Sequence, residues 1–121
     1  MSSLPSPRLR RINEAIREVL GEAVNAELKD PRVGFVTITE VRTSPDLRFA
    51  RVFVSVYGTP EEKEATLEGL RSASGLLRGR IARELRLRRT PTLEFRLDDT
   101  AERAERLERL LKDAVPEDEQ G

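Results

Sequence analysis

Between Leu70 and Arg89 the stretch LRSASGLLRGRIARELRLRR carries seven arginines and one acid, Glu84, in a chain whose 22 basic and 22 acidic residues cancel. Guanidinium groups at this density suit one kind of chemistry. Their planar fork donates two hydrogen bonds at once, which matches phosphate oxygens, and arginine outnumbers lysine here 19 to 3. The bland use of such a run is a solvated helix face, the fate of most charge runs. The near absence of opposing charge favours a polyanion. A second basic group, Arg8, Arg10 and Arg11, sits where a helix begins, a poor place for cations because the helix dipole is positive there. Pairing of Arg10 with Glu14 would be worth only about 0.2–0.5 kcal/mol and leaves Arg8 and Arg11 unexplained. In KDPRVG, Lys29 and Arg32 can touch phosphate, although Asp30 before Pro31 and the freedom of Gly34 mark a helix stop and turn first.

Other chemistries are poorly supplied. Cysteine and histidine are absent, which removes thiol nucleophiles, Cys/His zinc sites, imidazole bases and Ser-His triads together. Asp98 and Asp99 with Glu40 would serve a small metal-dependent ribonuclease if they converged on one ion. Adjacent acids at a strand end more often make turns and caps. Near the C-terminus Arg103, Arg106 and Arg109 alternate with Glu102, Glu105 and Glu108, a balanced solvated face or the docking face of a protein-binding adaptor. Zero net charge therefore hides a dipolar surface. No apolar run approaches the roughly twenty residues of a membrane span, and MSSLPSPRLRR lacks the order of a secretory signal, so the default location is the cytoplasm.

The elements that position these charges follow from periodicity. Residues 1–6 read as a flexible arm, and Pro7 opens a helix whose apolar positions Leu9, Ile12, Ile16, Val19, Leu20, Ala23, Val24 and Leu28 recur at three and four. Phe35–Val41 and Arg48–Tyr57 read as strands. In the second, Arg48, Ala50, Val52, Val54 and Val56 alternate with Phe49, Arg51, Phe53, Ser55 and Tyr57. Ser44, Pro45 and Asp46 join the two as an antiparallel hairpin. Thr59 and Glu62 form a capping box for a helix that reaches Ser72, Ala73, Ser74 and Gly75, where propensity drops and Ser74 can cap a second segment. There Leu77, Ile81 and Leu85 define an inner face, which puts Arg80, Arg83 and Arg86 on the outer one. Arg78 lies nearer the stripe and can lay its stem over the core. Pro91 ends this segment, and Leu93, Phe95 and Leu97 alternate along a third strand. Ala104, Leu107, Leu110 and Leu111 mark a last helix, and residues 113–121 read as a disordered acidic tail. With only four phenylalanines and one tyrosine, most aromatic rings are expected in the core rather than as stacking platforms.

The order helix, strand, strand, helix, kink, helix, strand, helix predicts an α+β domain over residues 7–112, a three-stranded mixed sheet with helices on one face. The first six elements match the type II KH arrangement. KH domains grip nucleic acid with a GxxG turn, which this chain lacks. In its place stand Ala73, Ser74 and Gly75, and this AxG with KDPRVG, SPDL, ARVFVSV, SASGLLR and LRLRRTPTLEFRLDD, in order from Pro7 to Leu111, resembles the bacterial ribosome-binding factor A family. The resemblance implies a noncatalytic, KH-like assembly factor that binds the free small ribosomal subunit and its ribosomal RNA and promotes late maturation. It implies no cofactor, metal, membrane or small-molecule substrate. The residues expected to face RNA are Arg8, Arg10 and Arg11, Lys29 and Arg32, Arg71 and Ser72–Gly75 at the joint, and Arg78, Arg80, Arg83, Arg86, Arg88 and Arg89 beyond it. No long apolar heptad is exposed, so a monomer is expected off the ribosome.

Overall fold

The computed structural model describes residues 5–98. The capping, strand and joint signals all produce elements. Helix α1, Pro7–Glu27, starts where the Ser6 hydroxyl accepts a hydrogen bond from the Leu9 amide at 3.1 Å, and its buried stripe runs from Leu9 through Ile12, Ile16, Val19, Leu20 and Ala23 to Val24. Strands β1 (Val36–Thr43) and β2 (Phe49–Val56) pair antiparallel, with a shift of register between Ile38 and Glu40 that leaves Thr39 as a bulge. The connecting loop is closed by Ser44, whose hydroxyl donates to Asp46 at 2.7 Å and accepts from the Phe49 amide at 3.0 Å.

Helix α2, Pro60–Ser72, carries the Thr59/Glu62 capping box with both bonds formed, at 2.7 and 3.1 Å. Helix α3 is Ser74–Leu85, and strand β3, Thr92–Leu97, pairs parallel to β2. The sheet order is β1-β2-β3, mixed as expected. Alternate residues of each strand are buried against the helices, where Ile16, Leu20, Leu70, Leu77 and Ile81 are fully excluded from water. Each such side chain contributes about 1.5–3 kcal/mol by burial.

Two expectations need correction. Ser74 does not cap α3: the joint is the single residue Ala73, at φ −89° and ψ 5°, and α3 begins with no side-chain cap. Ala73 keeps its amide bonded to the Gly69 and Leu70 carbonyls at 3.1 Å each and its carbonyl accepts the Leu77 amide at 3.0 Å, so it ends one helix and starts the next, and Ser74 already lies inside α3, past the cap position. Nor do the aromatic rings fill the core. Only Phe95 is buried, while Phe35, Phe49 and Tyr57 are 71, 51 and 82% exposed and Phe53 is half-buried. Leu, Ile and Val fill the space instead. The arm at residues 1–4, the last helix and the acidic tail lie outside the described residues, as does Asp99.

Candidate nucleic-acid interface

The structure sorts the basic residues into those that hold the protein together and those that face outward. Arg80 belongs to the first kind. Its side chain is only 12% exposed and meets Glu84 one turn on, at 2.7 Å, together with Glu22, at 3.1 Å, and Glu27 of α1. The outer-face placement of Arg80 is thus wrong: α1 packs along α3 and turns that position into a seam. The hydrogen bond to Glu84, with the charges of Glu27 and Glu84, raises the Arg80 pKa above its ordinary value against the pull of desolvation.

Arg78 is also structural in its bonding. It donates to the carbonyls of Pro91 and Thr90, both at 2.9 Å, and so ties α3 to the approach of β3. Those acceptors are neutral, so its charge is not cancelled. Arg71 pairs with Glu64 at 3.3 Å and Glu68 at 3.9 Å on its own helix, all half-exposed, an arrangement worth at most about 1 kcal/mol.

The turn after α1 is built against α2. The Asp30 carboxylate accepts from the Arg32 side chain at 2.6 Å and from the Arg32 amide at 2.9 Å. These two bonds hold the Asp30 carboxyl at about 2, well below the usual carboxylate range. The Thr66 hydroxyl donates to the Arg32 carbonyl at 3.1 Å, and Arg32 reaches the Ser72 hydroxyl at 3.2 Å. Gly69 completes the contact: a Cβ there would lie 2.5 Å from Val33 Cγ2. Lys29 is exposed beside this turn, so Lys29, Arg32, Arg71 and Ser72 share one locality near the joint formed by Ala73, Ser74 and Gly75.

The outward group is elsewhere. Arg83, Arg86, Arg88 and Arg89 are exposed, and no described acid lies within ion-pair distance of any of them. Arg86 closes α3 in the left-handed conformation, φ 50°. From Ala73 to Arg86 the helix rises about 20 Å, so the joint and this group are two places and not one.

The same end of the sheet receives the start of α1. Asn13 Oδ1 accepts the Thr43 amide at 2.9 Å, Thr43 pairs with Ala50, Ala50 with Leu93, and the Thr92 amide donates to the Arg48 carbonyl at 2.8 Å. This chain of contacts places the first turns of α1, the β1–β2 loop and the α3–β3 loop at the same end of the sheet. Arg8 and Arg11 are exposed on α1 with no described acid paired to them. Arg10 reaches back to the Pro5 carbonyl at 3.4 Å, and Glu14 pairs with Arg17 rather than with Arg10. Arg48, half balanced by Asp46 at 3.5 Å, joins the group. Sequence reasoning omitted Arg48, although its place next to the hairpin turn was visible.

Among the described residues the carboxylates do not converge. Glu40 is paired with Arg42 at 2.7 Å, Asp98 accepts from the Thr39 hydroxyl at 2.6 Å, and among the described residues no three potential ligands form a metal-sized cluster. No described helix is long and apolar enough to cross a membrane.

Comparisons with known proteins bear on the family and the fold. The chain is 49% identical over 109 residues to ribosome-binding factor A of Thermomicrobium roseum, covering 90% of this chain and 84% of that protein. It is 46% identical over 114 residues to the same factor of Dictyoglomus thermophilum, covering 93% and 95%. The solution structure of a putative ribosome-binding factor A from Thermotoga maritima superposes with a TM-score of 0.69 at 40% identity, over 78% of this chain and 91% of that one. A Thermus thermophilus ribosome-binding factor A fitted into a cryo-EM map of its complex with the 30S particle superposes at 0.60 and 32% identity, over 73% and 92%. The profile of the family described as Ribosome-binding factor A matches residues 8–111, and with these relatives it shows that the chain belongs to that family.

Proposed function

We propose that this chain is a noncatalytic assembly factor that binds the RNA of free small ribosomal subunits and promotes its late maturation, acting in the cytoplasm as a monomer. The observation that carries the reading is the gathering of Arg8, Arg11, Arg86, Arg88 and Arg89 at one end of the sheet without described acidic partners, while Arg32, Arg71 and Arg80 are matched by carboxylates. Unpaired guanidiniums on a folded surface suit phosphate. Relatives carry the name ribosome-binding factor A, and one was fitted into a complex with the 30S particle, which supports the same partner here.

Binding promotes maturation only by differing between RNA states. A preference of about 2.7 kcal/mol for the mature conformation shifts the ratio of the two about a hundredfold. Phosphate contacts also make the affinity salt-dependent, with a logarithmic slope of about −0.7 per phosphate on unpaired RNA.

Sedimentation with purified particles tests this. The protein pellets with free small subunits in preference to complete ribosomes, and changing Arg86, Arg88 and Arg89 to Glu abolishes pelleting while leaving thermal unfolding unchanged. Equal pelleting of the triple variant, or equal pelleting with both particles, overturns the proposal.

A further inference from the structure

Among the described residues the helices cover one face of the sheet and leave the other open, and that face is where the aromatic rings went. Of the five aromatic residues in the chain, only Phe95 is buried. Phe49 and Phe53 stand on the outward side of β2, separated by Arg51, and Phe35 and Tyr57 bracket the Val36–Val56 pair at the far end of the hairpin. Outward positions four apart along a strand lie about 13 Å from one another. Exposed rings in such a row are costly to leave in water and mark a contact surface.

The partner's chemistry is set by what lies between the rings. Arg42 places its guanidinium over the Phe53 ring, 5.3 Å from the centroid. Phe49 separates two hollows, one of about 350 Å³ lined in part by Arg48, Arg78 and Arg89, the other of about 230 Å³ lined in part by Arg42, Arg51 and Glu94. A flat ring with a cation-lined hollow on one side, and on the other a hollow whose arginines are paired with Glu40 and Glu94, fits a planar base stacked on the ring and a phosphate beside it. Arg51 does pair with Glu94, but at 3.8 Å and half-exposed, a contact weak enough to exchange for phosphate. Arg96 has no described acidic partner.

We infer that the open face of the sheet is a stacking track for unpaired nucleotides, entered at Phe49 beside the arginine-rich end and continued past Phe53 toward Tyr57. This inference rests on the reading that the ligand is RNA and adds that part of it is single-stranded. The track lies on the side of the sheet away from the Ala73 joint, so it is separate from the turn through which KH domains hold nucleic acid.

The chain has no tryptophan, so Phe49→Trp in the full chain supplies one fluorescent reporter at an exposed position. Titration with short oligoadenylate quenches that emission, and an RNA duplex of equal length quenches it far less. Phe53→Leu in the same background weakens oligoadenylate binding about tenfold, and Phe53→Tyr, which keeps a ring, restores it. Three results overturn the inference: an equal response to duplex, an affinity indifferent to Phe53→Leu, or an emission that oligoadenylate does not change. If the reporter variant still pellets with small subunits while showing any of these, the track is wrong and the RNA reading stands. If pelleting of the unaltered protein is also absent, the RNA reading itself has failed.

Discussion

The seam between α1 and α3 and the arginine-rich end of the sheet use the same side chain for opposite purposes. At the seam, Arg80 is surrounded by Glu22, Glu27 and Glu84, and its charge is consumed within the fold. At the sheet end, Arg88 and Arg89 belong to the same arginine run as Arg80, yet no described acid faces them. The difference lies in the neighbouring element. α3 packs against an acidic stretch of α1, whereas the loop after α3 meets the hairpin turn, at the end of the sheet that also receives the basic start of α1. A run of arginines is therefore not one site, and what each contributes depends on what the topology sets opposite it.

The comparison breaks cleanly by substitution. Arg88→Met with Arg89→Met lowers affinity for free small subunits by about a hundredfold, since a hydrogen bond to a charged group is worth about 1.5–3 kcal/mol and two are removed with partial screening. It leaves the unfolding midpoint in urea unchanged, as expected for exposed positions. Arg80→Met does the reverse. It strands three carboxylates at the α1–α3 seam, so the melting temperature falls, while affinity measured on the folded protein stays within about twofold. Loss of subunit binding in a folded Arg80→Met protein would remove the distinction drawn here.

A second contrast is between the joint and its surroundings. The joint at Ala73 is a single residue at φ −89° and ψ 5°, while the firm contact is one turn earlier, where Gly69 lies against Val33. Gly69→Ala raises helix propensity by about 1 kcal/mol but forces a methyl against a stiff β-branched side chain, at a cost of about 1–3 kcal/mol. The expected result is a net destabilisation of about 1 kcal/mol, measured by urea unfolding. Adding Val33→Ala recovers part of the loss that Gly69→Ala causes on its own.

How far the sequence carried this picture depended on the range of each signal. The Thr59/Glu62 box, the Ser44–Asp46 turn and the alternation of Leu93, Phe95 and Leu97 are local, and each gave its element near the right boundary. Glu84 is one helical turn from Arg80, but the two partners on α1 lie 53 and 58 residues upstream, beyond any periodicity, so the burial of Arg80 was invisible. Phe49 is a different failure. Its alternation partners on the outward side of β2 are Arg51 and Ser55, which already indicated the solvent side. The scarcity of aromatic residues argued for the core, and that compositional argument was the weaker one.

Arg86 sharpens the contrast on a smaller scale, because it closes α3 at φ 50°, where glycine is the favoured residue. A non-glycine residue in this conformation carries strain of about 1–2 kcal/mol. Part of that is offset because glycine also gains freedom in the unfolded chain. Arg86→Gly should therefore stabilise the fold by about 0.5–1 kcal/mol in thermal unfolding, while binding to small subunits weakens about threefold to tenfold. Stability and binding moving in opposite directions is the signature of a side chain kept for its charge. If both improve, Arg86 has no part in the cationic surface.

The smallest effect is at the turn that holds Arg32. Asp30 titrates at about 2 in the folded protein, held down first by the Arg32 side chain and then by its amide. A carboxylate whose pKa is depressed by folding adds stability that is fully present above its unfolded pKa, ordinarily near 4. That contribution is lost as the pH falls through the folded value, because the unfolded chain takes up the proton first. Unfolding followed at pH between about 4 and 2 should therefore show a downward slope that Asp30→Asn reduces, and the two proteins should run parallel above about pH 5. The same substitution releases Arg32, so at neutral pH it tests the opposite function. If pairing is what keeps Arg32 out of RNA binding, Asp30→Asn raises affinity for free small subunits slightly. Unchanged affinity would mean that the locality near the joint is structural even with its arginine set free.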